Sequence, residues 1–276
     1  MSSKPIKLLL DAGTLIHSEF AQPVQKEKYL KWGNKEHVVS ITGFERKAPE
    51  KDGDQQNQKN ALFTIGRLIR EGVIDAYSYS EVDVEVRQRR PQDFNAFSGC
   101  AIRSCSPALE RSKFRKTIDL KDWFSKGGKK DLDAGVKLGG ANQIAFFSWL
   151  NELNAAHIQL LLDHAAQIGL SEFEKGNLRK LDYFQFLCRR AQSHENYPDM
   201  FHLWTAIQNE CDAFLTLEKK LPNIVRSIAR EKNRSVEIKT EVLRPLDLLQ
   251  KLNIMVPDEV PMESGRFYHY FELPKG

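Results

Sequence analysis

The sequence predicts an α/β protein, a sandwich with a mostly parallel central sheet flanked by helices, and three observations carry that expectation. The run Ile6 to Leu10 is apolar apart from Lys7 and stops at Asp11-Ala12-Gly13. A strand buried on both faces reads this way, because neither face needs polar side chains. Strand-like and helix-like segments alternate at both ends of the chain, as they do when helices cover the faces of a parallel sheet. Size and composition agree: 276 residues with 41% hydrophobic and 28% charged content can bury a core, and they exclude a disordered, collagen-like or coiled-coil chain.

The elements follow in order. Residues 48–60 (APEKDGDQQNQKN) offer almost nothing to bury, so they predict an exposed loop. Leu62, Phe63, Ile65, Leu68 and Ile69 then recur at helical spacing, with Gly72 where a C-cap belongs. Val73 to Ser80 has the β-branched and aromatic content of a strand and leads into a helix over Glu81 to Arg90. Residues 91–140 carry Pro91, Pro107, two Gly-Gly pairs and most of the basic excess, and they read as an insertion. Helices are expected over Ile144 to Leu153, His157 to Ile168 and Leu178 to Cys188. Tyr197-Pro198-Asp199 opens another helix, running to about Glu210, with Pro198 in the first turn and Asp199 at the positive end of the dipole. Ala213 to Leu217 and Ser235 to Lys239 are short β-type runs around a basic helical stretch, and Pro245 starts a last amphipathic helix through Leu252. Tyr268 to Phe271 suit an added strand or docked tail, with base stacking as the functional alternative.

Charge distribution says more than the net +4. Between residues 87 and 130 there are twelve Lys and Arg against four Asp and Glu, and between 219 and 234 six against one, so the rest of the chain is acidic on balance. Basic stripes beside acidic residues suit a polyanion, although solvated helix faces would give the same count. Cys100, Cys105, Cys188 and Cys211 are too few for a disulfide framework, and Cys100 with Cys105 lacks further ligands at finger spacing for zinc. The longest apolar stretch, Ile158 to Leu170, is interrupted by Asp163 and His164, so no membrane span is expected. Lys4 and Lys7 flank a short run without an h-region or cleavage site, which together with the thiols predicts a cytoplasmic protein.

In parallel sheets, ligands gather beyond the carboxyl ends of the strands. Five acids are candidates for that region: Asp11 ends the first strand, Glu85 lies one turn beyond the second, Asp199 begins a helix, and Asp212 and Glu218 bracket the third strand. Packed together, such carboxylates repel unless a divalent cation neutralises them. Mg²⁺ or Mn²⁺ prefers oxygen ligands and keeps several waters, so the expected chemistry is activation of water against a phosphate ester. Arg and Lys of the basic segments, Arg87, Arg89, Lys219 and Lys220 among them, would grip flanking phosphates.

LLLDAGTLI (Leu8 to Ile16), YSYSEVDVEVR (Tyr77 to Arg87) and PDMFHLWTAIQNECDAFLTLEKKL (Pro198 to Leu221) resemble three blocks of the PIN-domain nucleases, metal-dependent enzymes with a parallel sheet between helices. The blocks cover under half of the chain, and the closing one is the specific part. The resemblance implies a PIN-like three-layer sandwich in which residues 1–90 and 196–254 form the core, 91–195 a basic and helical insertion, and 255–276 a tail. Val236 to Ile238 and Arg244 to Leu249 resemble the family's last strand and helix. It implies metal-binding roles for Asp11, Glu85, Asp199 and Glu218 with help from Asp212, places Thr216 beside the metal, and implies an RNA endonuclease in preference to one acting on DNA. A shifted register would select Glu81 instead of Glu85, and Glu218 stands where the family usually has Asp or Asn. Some relatives are toxins held by an antitoxin and others are homodimers, so both partnerships are candidates.

Each acid taken singly also has a structural role open to it, as a dipole partner or a solvated helix residue. His202 suits helix packing better than substrate contact. Two other functions remain open. A catalytically silent PIN-like module would bind RNA or protein. LLLDAGTL also resembles the first motif of haloacid dehalogenase phosphatases, but Gly13 and Leu15 occupy the positions where that family has a second Asp and a Thr.

Overall fold

The computed structural model describes residues 4–89, 95–114, 138–191, 193–230 and 238–272. In chain order the elements are β1 (Ile6–Leu10), α1 (Ala12–Ile16), β2 (Ala21–Trp32), β3 (Lys35–Arg46), α2 (Gly53–Arg70), β4 (Ile74–Ser78), α3 (Ser80–Arg89), β5 (Arg103–Ser104) and α4 (Arg111–Phe114). They continue with α5 (Leu138–Glu152), α6 (Ala155–Asp163), α7 (Ala165–Ile168), α8 (Glu172–Arg179), α9 (Leu181–Arg190) and α10 (Tyr197–Gln208). The last are β6 (Ala213–Leu215), α11 (Lys220–Arg230), β7 (Glu241–Leu243) and α12 (Pro245–Lys251). Two compact units result: Met1–Arg103 with Leu215–Glu218 and Leu243–Gly276, and Ser104–Phe214 with Lys219–Val242.

The architecture is α/β, with a five-stranded parallel sheet in the order β5-β4-β1-β6-β7 flanked by helices. β1 and β4 run parallel, from Ile6 opposite Ile74 to Leu9 opposite Tyr77. Leu8, Leu9 and Leu10 are all fully buried, so both faces of β1 are covered over its apolar second half, while Lys7 near its start is half-buried. In the first unit α2 packs on β4 and on α12, and α1 packs on α3. No helix among the described residues is long and apolar enough to cross a membrane.

Helix α2 begins at Gly53, inside the stretch expected to be an exposed loop. Asp52 caps it by accepting from the N–H groups of Asp54 and Gln55, and Gln58 is buried because its amide oxygen accepts from Leu246 N–H at 3.0 Å. A polar stretch became helical because caps and one tertiary bond satisfied it, which composition does not register. The expected strand at Ser235 to Lys239 lies partly outside the described residues; residues 238 and 239 are not strand, and the fifth sheet strand is β7. Much of the basic stretch 87–130, and residues 231–237, also lie outside them.

The largest element absent from the sequence-based expectation is the antiparallel hairpin of β2 and β3, each twelve residues long. Its loop is Gly33-Asn34, a two-residue connection with Gly33 at φ 62° and Asn34 outside the positive-φ region, the arrangement of a type II′ turn. Phe44 pairs with Pro23 across the hairpin, yet its N–H and C=O exchange bonds of 2.9 and 2.8 Å with Tyr268 on the other side. Pro23 therefore occupies a position where its missing N–H points away from β3. Ala21, Met262 and Tyr268 form a small core at the hairpin base, with Phe20, Phe44 and Val260 packed against it. Tyr268 thus serves as a docked tail with one added β-bridge, as its aromatic neighbourhood predicts.

The second unit is helical in its described core. α5, α9 and α10 pack together through aromatic side chains, with Phe147 stacked on Phe201 (4.3 Å between centroids) and Phe184 on Trp204 (5.2 Å). Glu174 of α8 is buried among polar partners: Lys113 Nζ at 2.5 Å, the N–H and hydroxyl of Ser171, and Glu110 N–H. Burial alone would raise its pKa, but these donors outweigh it and hold the carboxyl below its usual value. A depressed folded pKa adds stability above the ordinary carboxylate range, and that stability is lost as pH falls through the folded value. Acid unfolding followed by circular dichroism is expected to show a shallower loss of stability in Glu174→Gln than in the native protein below about pH 4.5.

Candidate functional site

The site is built where β1 and β6 end. Asp11 continues β1 in extended conformation and donates its N–H to Leu215 O at 3.0 Å. It is the N-cap residue of α1, but its side chain makes no capping bond. Its Oδ2 instead accepts from the Thr216 hydroxyl at 3.0 Å. Asp11 is 9% exposed and Thr216 1% exposed, and a carboxylate taken this far from water requires hydrogen-bond partners. Thr216 Oγ1 in turn accepts from Glu218 N–H at 3.1 Å, so one hydroxyl links the bend after β6 to the carboxylate after β1. Thr216 also donates its N–H to Leu243 O at 3.1 Å, and buried Thr14 donates its hydroxyl to Leu215 O at 3.2 Å. A Cβ on Gly13 would lie 3.2 Å from Asp11 Oδ2, so the absent side chain leaves the carboxylate its place over α1.

The second acid enters from β4. The β1–β4 register, extended by two residues, brings Asp11 level with Tyr79, and Glu81 follows in the first turn of α3 at 4% exposure. Asp83 fixes that turn: its Oδ1 accepts from Ser78 Oγ at 2.5 Å and its N–H donates to Tyr79 O at 2.9 Å. Glu85 lies a turn further on and is half-buried. Of the two registers that the resemblance allowed, Glu81 is therefore the deeper acid, because α3 starts at Ser80 and its first turn points it inward.

The remaining residues are more dispersed. Asp199 is half-buried in the first turn of α10. Asp212 is exposed immediately before β6, and its carbonyl accepts from Glu241 N–H at 3.1 Å. Glu218 is exposed beyond the other end of that strand, so a parallel strand separates these two acids instead of joining them. Arg87, Lys219 and Lys220 are exposed, and the Arg89 side chain lies outside the described residues. Among the described residues no group of three or more His, Cys, Asp or Glu is placed to hold a metal ion. His202 is buried with its ring stacked against Phe214, in keeping with a packing role. The four cysteines are free thiols, and Cys100 is buried enough to raise its pKa. A cleft of about 860 Å³ opens elsewhere in the first unit, lined by Arg46, Asn57, Asn60 and residues of 257–268, and it contains none of the expected site residues.

Sequence reasoning passed over Gly13 and Thr14 as parts of the site, although the run Asp-Ala-Gly-Thr after an apolar strand carries their signal. Comparison with known proteins finds no matching family model, no matching curated protein and no matching solved structure. Thr216→Val keeps the shape of the side chain but removes both bonds of its hydroxyl. It is expected to cost about 1–3 kcal/mol in urea unfolding, because a buried carboxylate loses one of its hydrogen bonds. Thr216→Ser is expected to unfold close to the native midpoint.

Proposed function

We propose that the protein is a Mg²⁺- or Mn²⁺-dependent phosphodiesterase of PIN-like type that hydrolyses nucleic acid, RNA in preference to DNA. The observation that carries this reading is the buried Asp11 carboxylate, fixed by Thr216 at the carboxyl edge of the sheet. Buried Glu81 enters from the neighbouring parallel strand, so two hard oxygen donors lie at the ends of adjacent strands. This donor set fits Mg²⁺, which commonly takes one or two carboxylates, keeps several waters and completes its shell with substrate phosphate. It does not require a group of three protein acids.

A divalent ion bound there would supply activation of water and compensation of charge on phosphate oxygens. Asp11 and Glu81 are the residues to hold it. Thr216 is a positioning residue that fixes the orientation of the Asp11 carboxylate. Glu218 and Glu85 stand beyond these two as acids able to bind water-mediated or to orient the nucleophilic water, and Asp199 is the further acid that the resemblance supplies. Asp212, at the start of β6, is left with a structural part. Arg87, Lys219 and Lys220 are exposed cations suited to flanking phosphates.

Cleavage of single-stranded and structured RNA in Mn²⁺ is expected to vanish in EDTA and in Asp11→Asn. Thr216→Val is expected to fall roughly 10- to 100-fold, as partners of metal ligands do. Hydrolysis that persists through chelation and Asp11→Asn removes the proposal. The silent binding module is favoured by one observation, the lack of a three-acid group among the described residues. Calorimetry with Mn²⁺ separates the two: uptake by the native protein that Asp11→Asn abolishes supports the enzyme, and no site-specific uptake supports the module.

A further inference from the structure

The β2–β3 hairpin extends well beyond the tail that covers its base. Twelve residues per strand give an arm of roughly 40 Å. Residues directly opposite each other share a face of the ribbon, and the register pairs Lys28 with Val39, Leu30 with His37 and Trp32 with Lys35. All six are exposed, and Trp32 is 83% exposed. The outer half of this face therefore interleaves Leu30, Trp32 and Val39 with Lys28, Lys35 and His37, and it carries no acid. The acids of the arm's outer half, Glu27 and Glu36, pair with Ser40 and Lys31 on the opposite face. Nearer the base the cationic face is already used: Lys26 bridges Glu45 at 2.7 Å and sits over the Phe267 ring.

We propose that this face of the hairpin binds single-stranded nucleic acid, with Lys28 and Lys35 on phosphates and Trp32 stacked on a base. The inference rests on the nucleic-acid reading of the preceding subsection and names the element that would hold the strand. Charge and shape select this occupant. Lys28 and Lys35 are four residues apart along the ribbon, about 13 Å, so they bracket apolar side chains in the way that phosphates bracket bases. A second copy of the same face would set Lys28 and Lys35 against their own counterparts, a repulsive arrangement. A lipid bilayer is disfavoured by the tip itself, because Lys31, Asn34, Lys35 and Glu36 would have to enter the membrane ahead of Leu30 and Tyr29. Single-stranded nucleic acid needs neither: it meets fixed cations with its backbone and an open indole with its bases.

The test is fluorescence anisotropy of labelled single-stranded RNA and DNA of one sequence, with the full chain, in EDTA so that hydrolysis plays no part. Trp32→Ala is expected to weaken binding roughly 5- to 150-fold. Lys28→Ala combined with Lys35→Ala is expected to flatten the slope of log affinity against log salt by about 1.4. Glu27→Ala, on the opposite face, is expected to bind as the native protein does or tighter. Unchanged melting by circular dichroism shows that each variant folds, as substitutions at exposed positions should. Native-like binding by the Trp32 and Lys variants overturns the inference, and so does a native protein that binds neither strand. It is equally overturned if the same substitutions abolish only binding to phosphatidylserine vesicles, or only a concentration-dependent dimer seen by sedimentation. The hydrolytic reading is judged separately by Asp11→Asn in Mn²⁺: hairpin-dependent binding without metal-dependent cleavage keeps the hairpin and removes the enzyme.

Discussion

A carboxylate held out of water at the end of a buried strand is the constraint on which the rest of the site depends. Thr216, 205 residues away in sequence, helps to offset the burial of the Asp11 carboxylate by donating a hydrogen bond to it. The same hydroxyl accepts from Glu218 N–H, and the backbone of Thr216 reaches Leu243. One small residue, through its hydroxyl and its backbone N–H, thus ties together the ends of β1, β6 and β7. An α/β sheet of this kind gathers its chemistry at the carboxyl edge because the chain turns there into helices, and each turn brings a side chain to the rim. Asp11 before α1 and Glu81 at the start of α3 are both products of that geometry.

The hairpin is governed by a different physics. Its strands are exposed on both faces along most of their length, and the outer part has an open edge. Exposed edges invite pairing with other chains, and lysines along the ribbon oppose it. The separation of Lys28 and Lys35 from Glu27 and Glu36 onto different faces follows from the period of two in a strand, so a sequence that looks evenly mixed becomes polarised when it is pleated. The base is secured by Tyr268 bridging Phe44, which converts two strands into a partly three-stranded patch with a small core of its own.

Much of the sheet was legible in the amino-acid order. The apolar run ending at Asp11, the strand expected over Val73 to Ser80 (formed over Ile74–Ser78) and the Pro198-Asp199 helix start all lie where the pattern put them within a residue or two, because each is fixed by local periodicity or by the fixed φ of proline. The hairpin was passed over: Gly33-Asn34 is a two-residue turn signal, but Lys26-Glu27-Lys28, Tyr29-Leu30 and Val38-Val39 break the alternation that would mark its flanks as half-buried strands. The early start of α2 was not, since it depends on Gln58 meeting Leu246 across 188 residues.

By itself the sequence determined the class of the fold, the place of Asp11 at a strand end and the helix start at Pro198-Asp199, since these follow from neighbours along the chain. Tertiary structure alone decided that Thr216 meets Asp11 and that Glu81 lies deeper than Glu85. The reason is that strand register and helix phase set which side chains converge. Both are fixed by packing between segments distant in sequence, where a shift of one residue turns a side chain to the other face.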